Sequence, residues 1–307
     1  MHKRLTLSQI GEFGFIKSVR KLVTTDSSVV RGIGDDAAVI RLNQNMYLLL
    51  TADMLIEGVH FRRNMNPFDI GHKALACSIS DIAAMGGEPK YAVISVGFPA
   101  NLCVSYAKNL YKGIIDTAKK FKISLVGGDT NRSKNIIIDI ALVGEVEKKS
   151  LVLRSKAKPN DIIFVTGFLG NSFKTGKHLK FTPRLNEARF LVRNYRVNSM
   201  IDISDGLVQD LGHILEESSA GAVIFEKAIP RDKITDLKNA LYEGEDFELL
   251  FTVSKKEAQK LLKDALGKKI RFPIKPIGLI TDKKEGFTIV CESGRENKVT
   301  VKGFRHF

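Results

Sequence analysis

The sequence predicts an α+β protein of mixed α/β content in two domains, and three observations carry that prediction. The chain has 307 residues of which 44% are hydrophobic, enough apolar material for one large domain or two of ordinary size. Strand-like and helix-like periodicities occur in both halves, without the strict β-α-β alternation of a fully parallel sheet. A polar break, Glu147-Lys148-Lys149-Ser150, is followed by a turn-like stretch containing Pro159, which divides the chain into 1–148 and 149–307.

In the first half, residues 47–50 read as a strand, 69–85 as a helix with apolar residues at helical spacing, 91–98 as a strand and 104–121 as a second helix. Residues 123–126 and 136–146 then read as strands. The second half opens on an apolar strand at 162–166 and contains a helix at 206–219. Leu207, Val208, Leu211, Ile214 and Leu215 share one face of that helix, Ser204 or Asp205 can cap its start, and Gly221 can end it. Strands at 222–225 and 247–253, a helix at 255–266, and strands at 274–279 and 287–290 complete the reading.

Lysine and arginine total 48 against 34 acids, a net charge of +14 that by itself suggests a nucleic-acid or membrane-surface partner. Their placement argues otherwise. Lys119, Lys120, Lys122, Lys148, Lys149, Lys255, Lys256, Lys268 and Lys269 fall at element ends or on solvent faces, and no helix-turn-helix, zinc-finger or aromatic RNA-binding signature accompanies them. Neither a nucleic-acid nor a membrane partner is expected. One basic concentration remains, Lys174, Lys177, His178, Lys180 and Arg184, in a stretch with Gly176 and Pro183; a plain mobile loop is the ordinary reading and a phosphate grip the sharper one. Cys77, Cys103 and Cys291 are far apart, with no Cys-x-x-Cys pair, which points to a reducing, cytoplasmic setting. No apolar run approaches the roughly 20 residues of a membrane span.

Two glycine patterns resemble nucleotide motifs and fail. Between Gly170 and Lys177 the spacing is wrong for a P-loop, and His178 stands where the metal-binding hydroxyl belongs. Gly32-Ile33-Gly34-Asp35-Asp36-Ala37 fits a loose dinucleotide pattern, yet two carboxylates occupy the place where a pyrophosphate would rest. Anions there make sense if a metal intervenes.

Aspartates in fact recur inside turns of small residues along the whole chain. They are Asp35 and Asp36, Asp53 after Thr51-Ala52, Asp81 in the run from Ser80 to Gly87, Asp129 in Gly127-Gly128-Asp129-Thr130, Asp202 and Asp205 flanking Ile203-Ser204, and Glu245-Asp246 after Gly244. Each alone is an ordinary turn or helix cap. Together, with Asp53, Asp129 and Asp202 at the ends of apolar strand-like runs, they predict a crevice where carboxylates would repel unless cations lie between them. Hard oxygen ligands without His or Cys partners suit Mg²⁺ and, with it, a nucleotide triphosphate.

With these residues in view, the chain resembles the thiamine-monophosphate kinases over nearly its whole length. The matching stretches include Gly11 to Ile16, Gly32 to Ala37, Thr51 to Asp53 leading to Gly58-Val59-His60-Phe61, Ser80 to Gly86, Val126 to Thr130, Arg154-Ser155, Asp202 to Leu207, Gly244 to Leu249, and Lys302-Gly303-Phe304. The resemblance implies the two-domain fold shared with aminoimidazole ribonucleotide synthetase, a homodimer formed through the N-terminal sheet, and ATP near the subunit interface. It implies that Asp36, Thr51, Asp53, Asp81, Asp129, Asp202 and Asp205 hold several Mg²⁺ ions. Gly128, Asp129, Arg154, Ser204 and Tyr111 would meet ATP, and His60, Glu245 and Phe304 the thiamine monophosphate. Asp53, Asp129 and Arg154 would carry catalysis. Ala52 stands where the family usually has a hydroxyl residue, and the basic stretch 174–184 departs from the family's small apolar segment.

The implied reaction is in-line transfer of the ATP γ-phosphoryl group to a phosphate oxygen. A phosphate monoester, with a second pKa of about 6, is already largely deprotonated at neutral pH. No general base is needed, in keeping with the absence of a Ser/His/Asp grouping. Other ATP-dependent enzymes of the same fold are the alternative; a selenophosphate synthetase would want a reactive Cys near the N-terminal glycine loop, and none precedes Cys77.

Overall fold

The computed structural model describes residues 5–301 and 303. After helix α1 (Leu7–Arg20) come strands β1 (Val29–Arg31), β2 (Ala38–Arg41) and β3 (Met46–Ile56), helix α2 (Pro67–Ala84), β4 (Glu88–Phe98), α3 (Val104–Phe121), β5 (Ser124–Arg132) and β6 (Ile137–Glu147). These strands form one sheet in the order β1-β2-β3-β6-β4-β5. β4 and β5 are parallel, with α3 as their crossover helix, and the other pairs are antiparallel.

The second half builds a seven-stranded sheet from β7 (Ile162–Thr166), β8 (Val197–Asp202), β9 (Ala220–Phe225), β10 (Leu249–Val253), β11 (Ile274–Asp282), β12 (Phe287–Val290) and β13 (Glu296–Lys298). Their order is β13-β12-β9-β11-β7-β10-β8. Between them lie the short helices α4 (Ser172–Thr175) and α5 (Lys177–Lys180), then α6 (Leu185–Asn194), α7 (Leu207–Ser218), α8 (Leu237–Tyr242) and α9 (Lys255–Leu266).

Helix α2 packs against elements of both halves. Asn66 caps it by accepting from the Phe68 N–H (2.9 Å), and Pro67 fits the first turn because its missing N–H would be unpaired there anyway. Gly71 and Gly113 let α2 and α3 touch backbone to backbone: a Cβ on Gly71 would stand 1.9 Å from the Leu110 carbonyl oxygen, and one on Gly113 the same distance from that of Phe68. The first core, around Ile79, Ile82, Ile138 and Ile140, runs on through α2 to Phe164, Leu249 and Phe251 on one face of the second sheet. A second core fills the other face, where Ile163, Val165 and Leu250 meet Leu207, Leu211 and Ile214 of α7.

The expected elements recur with longer strands. β3 continues to Ile56 and β5 to Arg132, so Asp53 and Asp129 stand inside strands; Asp202 does end its strand. On the first sheet, alternate residues Leu49, Leu55, Ile94 and Ile140 are buried under the helices. The opposite face is open and apolar: Leu50, Met54, Tyr91, Val93 and Val126 are all exposed. Among the described residues no helix is long and apolar enough to cross a membrane.

Candidate active site

Carboxylates from three segments converge where the two halves meet. Oxygen atoms of Asp36, Asp81 and Asp202 lie within 4.8 Å of one another, brought there by the turn before β2, by α2 and by the end of β8. Hydroxyls hold them: Thr51 Oγ1 donates to Asp81 Oδ2 (2.5 Å), Ser80 Oγ to Asp202 Oδ2 (2.6 Å), and Ser78 Oγ to the neighbouring Asp53 Oδ2 (2.8 Å). Arg154 donates its guanidinium N–H to Asp36 Oδ1 (2.8 Å) and its backbone N–H to Asp35 Oδ1 (3.0 Å).

The cluster carries more negative charge than its surroundings neutralise. Burial, then Asp36, pushes Asp202 up to about 8; burial, with Asp139 and Asp36 adding to it, raises Asp53 to about 6. Asp81 is raised well above the usual carboxylate range by burial and by Asp53 and Asp202. Alongside, oxygens of Asp205 and Asp210 and a ring nitrogen of His213 form a second close group. There Asp210 accepts from the Asp205 and Gly206 N–H groups (3.0 and 3.1 Å), tying down the turn that opens α7. The group of Asp36, Asp81 and Asp202 offers only oxygen donors, as a hard dication requires.

A cavity of about 350 Å³ adjoins the cluster, its walls including Asp53, His60, Phe173, Ser204, Asp205 and Glu245. Glu245 is placed by a strained strap. Gly244 packs so close to the Ser204 carbonyl oxygen that a Cβ would stand 2.3 Å from it, Glu245 follows at φ 67°, and its N–H returns to Ser204 O (2.7 Å). Behind Glu245 lies Lys73, a fully buried lysine of α2 paired with its carboxylate. Lys73 and Ser80 stand in stretches that carry the family resemblance, Lys73-Ala74-Leu75-Ala76 and Ser80 to Gly86, but the sequence assigns no role to them or to Ser78; the available signal is a charged residue and two hydroxyls inside an otherwise apolar helical run.

Asp129 and Gly128 do not join this group within one chain. Through the register Asp53↔Ile140↔Ile94↔Gly128, β5 lies three strands from β3, about 14 Å at the usual strand spacing. Asp129 is exposed there, accepting from the Thr130 N–H and from Asn131 Nδ2 (2.8 and 2.6 Å). Gly128 is dictated by contact: a Cβ would stand 1.9 Å from the Ile94 carbonyl oxygen. Tyr111 is half-buried on α3 against the first core. Ala52 is exposed, in the outward alternation of β3, so a hydroxyl at 52 would stand on the opposite side of the strand from Thr51. Phe304 lies outside the described residues.

The basic stretch 174–184 is neither a mobile loop nor a phosphate grip. Arg184 and Lys177 donate to Glu248 (2.7 and 3.0 Å), and His178 is buried with Nδ1 on the Ser172 carbonyl (3.0 Å). Burial would raise Glu248, but the two cations overcome it and hold the carboxyl below its ordinary value.

Residues 34–146 match the family described as AIR synthase related protein, N-terminal domain, and residues 141–291 match its C-terminal counterpart. Thiamine-monophosphate kinase of Buchnera aphidicola subsp. Schizaphis graminum is 38% identical over 92% of this chain and 94% of that protein. The chain belongs to the thiamine-monophosphate kinase family. The Bacillus subtilis thiamine-monophosphate kinase is 34% identical over 96% of this chain and 99% of its own length. A solved structure, AaThiL complexed with AMPPCP and TMP, superposes with a TM-score of 0.85 at 32% identity, covering 99% of this chain and all of that one.

Proposed function

We propose that this chain phosphorylates thiamine monophosphate at the expense of ATP, giving thiamine diphosphate and ADP. The observation that carries the reading is the double position of Asp53, whose carboxylate belongs to the acidic cluster and also lines the 350 Å³ cavity, so that a phosphate held in the cavity meets the cluster directly. The relative solved with an ATP analogue and TMP supports the same pair of substrates.

The cluster's oxygen donors and its surplus negative charge suit Mg²⁺, with Asp36, Asp53, Asp81, Asp202 and Asp205 as the residues that would hold it. Bound there, Mg²⁺ would neutralise charge on the phosphates being brought together. Thr51, Ser78 and Ser80 aim the carboxylates, and Arg154 holds Asp36 while adding a cation at the same spot. His60 and Glu245, walls of the cavity, would border the acceptor's rings, and Ser204, another of its walls, would meet the nucleotide as the family resemblance implies. No residue needs to remove a proton, since the attacking phosphate oxygen is already ionised at neutral pH.

A homodimer through the open face of the first sheet follows from five large apolar residues left exposed on three of its strands. Gly128, Asp129 and Tyr111 would then serve ATP near that junction, as the family resemblance implies. A domain division at 148/149 agrees with β6 ending at Glu147, and three unbridged cysteines suit a cytoplasmic setting. The test is incubation with ATP, Mg²⁺ and thiamine monophosphate, following thiamine diphosphate and ADP. No thiamine diphosphate, with turnover of a different acceptor, would overturn the assignment.

A further inference from the structure

A lysine in the middle of a buried helix needs a partner for each of its donors. Lys73 has no exposed side-chain surface. Its Nζ donates to the His60 carbonyl oxygen (2.9 Å) and to Glu245 Oε2, and stands 5.7 Å from the centroid of the Phe173 ring. All three partners are walls of the same cavity, although they come from three segments: the turn after β3, α4, and the strap before β10. Lys73 itself is not a wall. Its ammonium lies behind Glu245, whose other oxygen, Oε1, makes no hydrogen bond within the described residues.

We propose that Lys73 is a positioning residue that sets acceptor specificity. It keeps Glu245 ionised and turned so that Oε1 accepts from the amino group of a cationic, amino-bearing heteroaromatic acceptor. The inference rests on thiamine monophosphate, which carries an aminopyrimidine and a cationic thiazolium, being the acceptor. A buried carboxylate facing a cavity would otherwise gain a proton and become a donor there, the wrong partner for an amino group. Lys73 serves binding of the acceptor and has no reach to the phosphates through its own contacts, all of which are spent.

The test compares wild type, Lys73→Met, Glu245→Gln and the double variant in steady-state kinetics, with thiamine monophosphate binding measured by calorimetry in the absence of ATP. Lys73→Met should raise the acceptor KM and weaken acceptor binding roughly tenfold or more, with kcat and the ATP KM within about threefold of wild type. In the Glu245→Gln background, which leaves no buried carboxylate unpaired, adding Lys73→Met should change the acceptor KM by less than about threefold. Should Lys73→Met not fold, that second comparison decides alone. An unchanged acceptor KM in Lys73→Met, equal losses in kcat and both KM values, or a full loss repeated in the double variant would overturn the proposal. Wild type inactive on thiamine monophosphate would instead refute the substrate reading.

Discussion

Between about pH 7 and pH 8 the metal-free protein should lose stability as pH rises, and Mg²⁺ should abolish the loss. Asp202 is ordinarily ionised above 3.8, but in the fold it keeps its proton to about 8 because it is buried beside Asp36. Over that interval the native state holds a proton that the unfolded chain has released, so stability is greatest at low pH and falls as pH climbs through the folded value. With the midpoint at about 8, this one group costs about 1 kcal/mol from pH 7 to pH 8, or roughly 1–2 °C in Tm for a chain of 307 residues. Asp81 and Asp210, both raised by burial and neighbouring carboxylates, act in the same direction. His213, held down to about 3 by burial and Arg154, gives the opposite slope only below its unfolded value near 6.5, which is why the window starts at 7. Thermal unfolding at several pH values, in chelator and in excess Mg²⁺, measures both slopes. A Tm that is flat or rising from pH 7 to pH 8 in chelator would refute the reasoning, as would a slope that Mg²⁺ leaves unchanged.

Other substitutions separate chemistry from scaffold. Asp53→Asn should lower kcat roughly 10²-fold or more, while Tm holds or rises because a buried like charge is gone; near-normal turnover at limiting Mg²⁺ removes Asp53 from the metal set. Arg184→Ala leaves the buried Glu248 with Lys177 as its remaining cation and should cost about 1–3 kcal/mol in urea unfolding. A loss under 1 kcal/mol, on the order of an exposed pair, would contradict the pairing of Arg184 with a buried Glu248. Tyr91→Glu puts a charge on the open sheet face, 51% exposed in the single chain, and should yield monomers by light scattering; an intact dimer would place the interface elsewhere.

How much of this was legible in the sequence depends on whether a residue's role is local. The helix at 104–121 and the strand at 162–166 have the bounds that periodicity predicts, since their apolar spacing is their own. The strands carrying Asp53 and Asp129 run several residues further than their apolar stretches, because pairing with β6 and β4 continues where hydrophobicity stops. Asp36, Asp81 and Asp202 could be picked out as turn aspartates, but their meeting depends on α2 lying between the two sheets, which no local pattern contains. The basic stretch shows the limit most clearly. Lys177 and Arg184 look like a free anion grip until Glu248, more than sixty residues away in the chain, is found beneath them.

Helix α2 carries one more consequence. Lys73, Cys77 and Asp81 recur every fourth residue, one behind Glu245, one on the cavity wall and one in the carboxylate cluster. Eight residues of α-helix span about 12 Å and have almost no play, so under the proposed function the helix would act as a ruler between the place that grips the acceptor's head and the place where its phosphate must arrive. Acceptor length would thereby be read in units of helical rise. An alcohol one phosphate shorter would reach the head pocket and fall short of the carboxylates, while one residue inserted between 73 and 81 would turn the two ends about 100° out of step and uncouple recognition from transfer without touching either site.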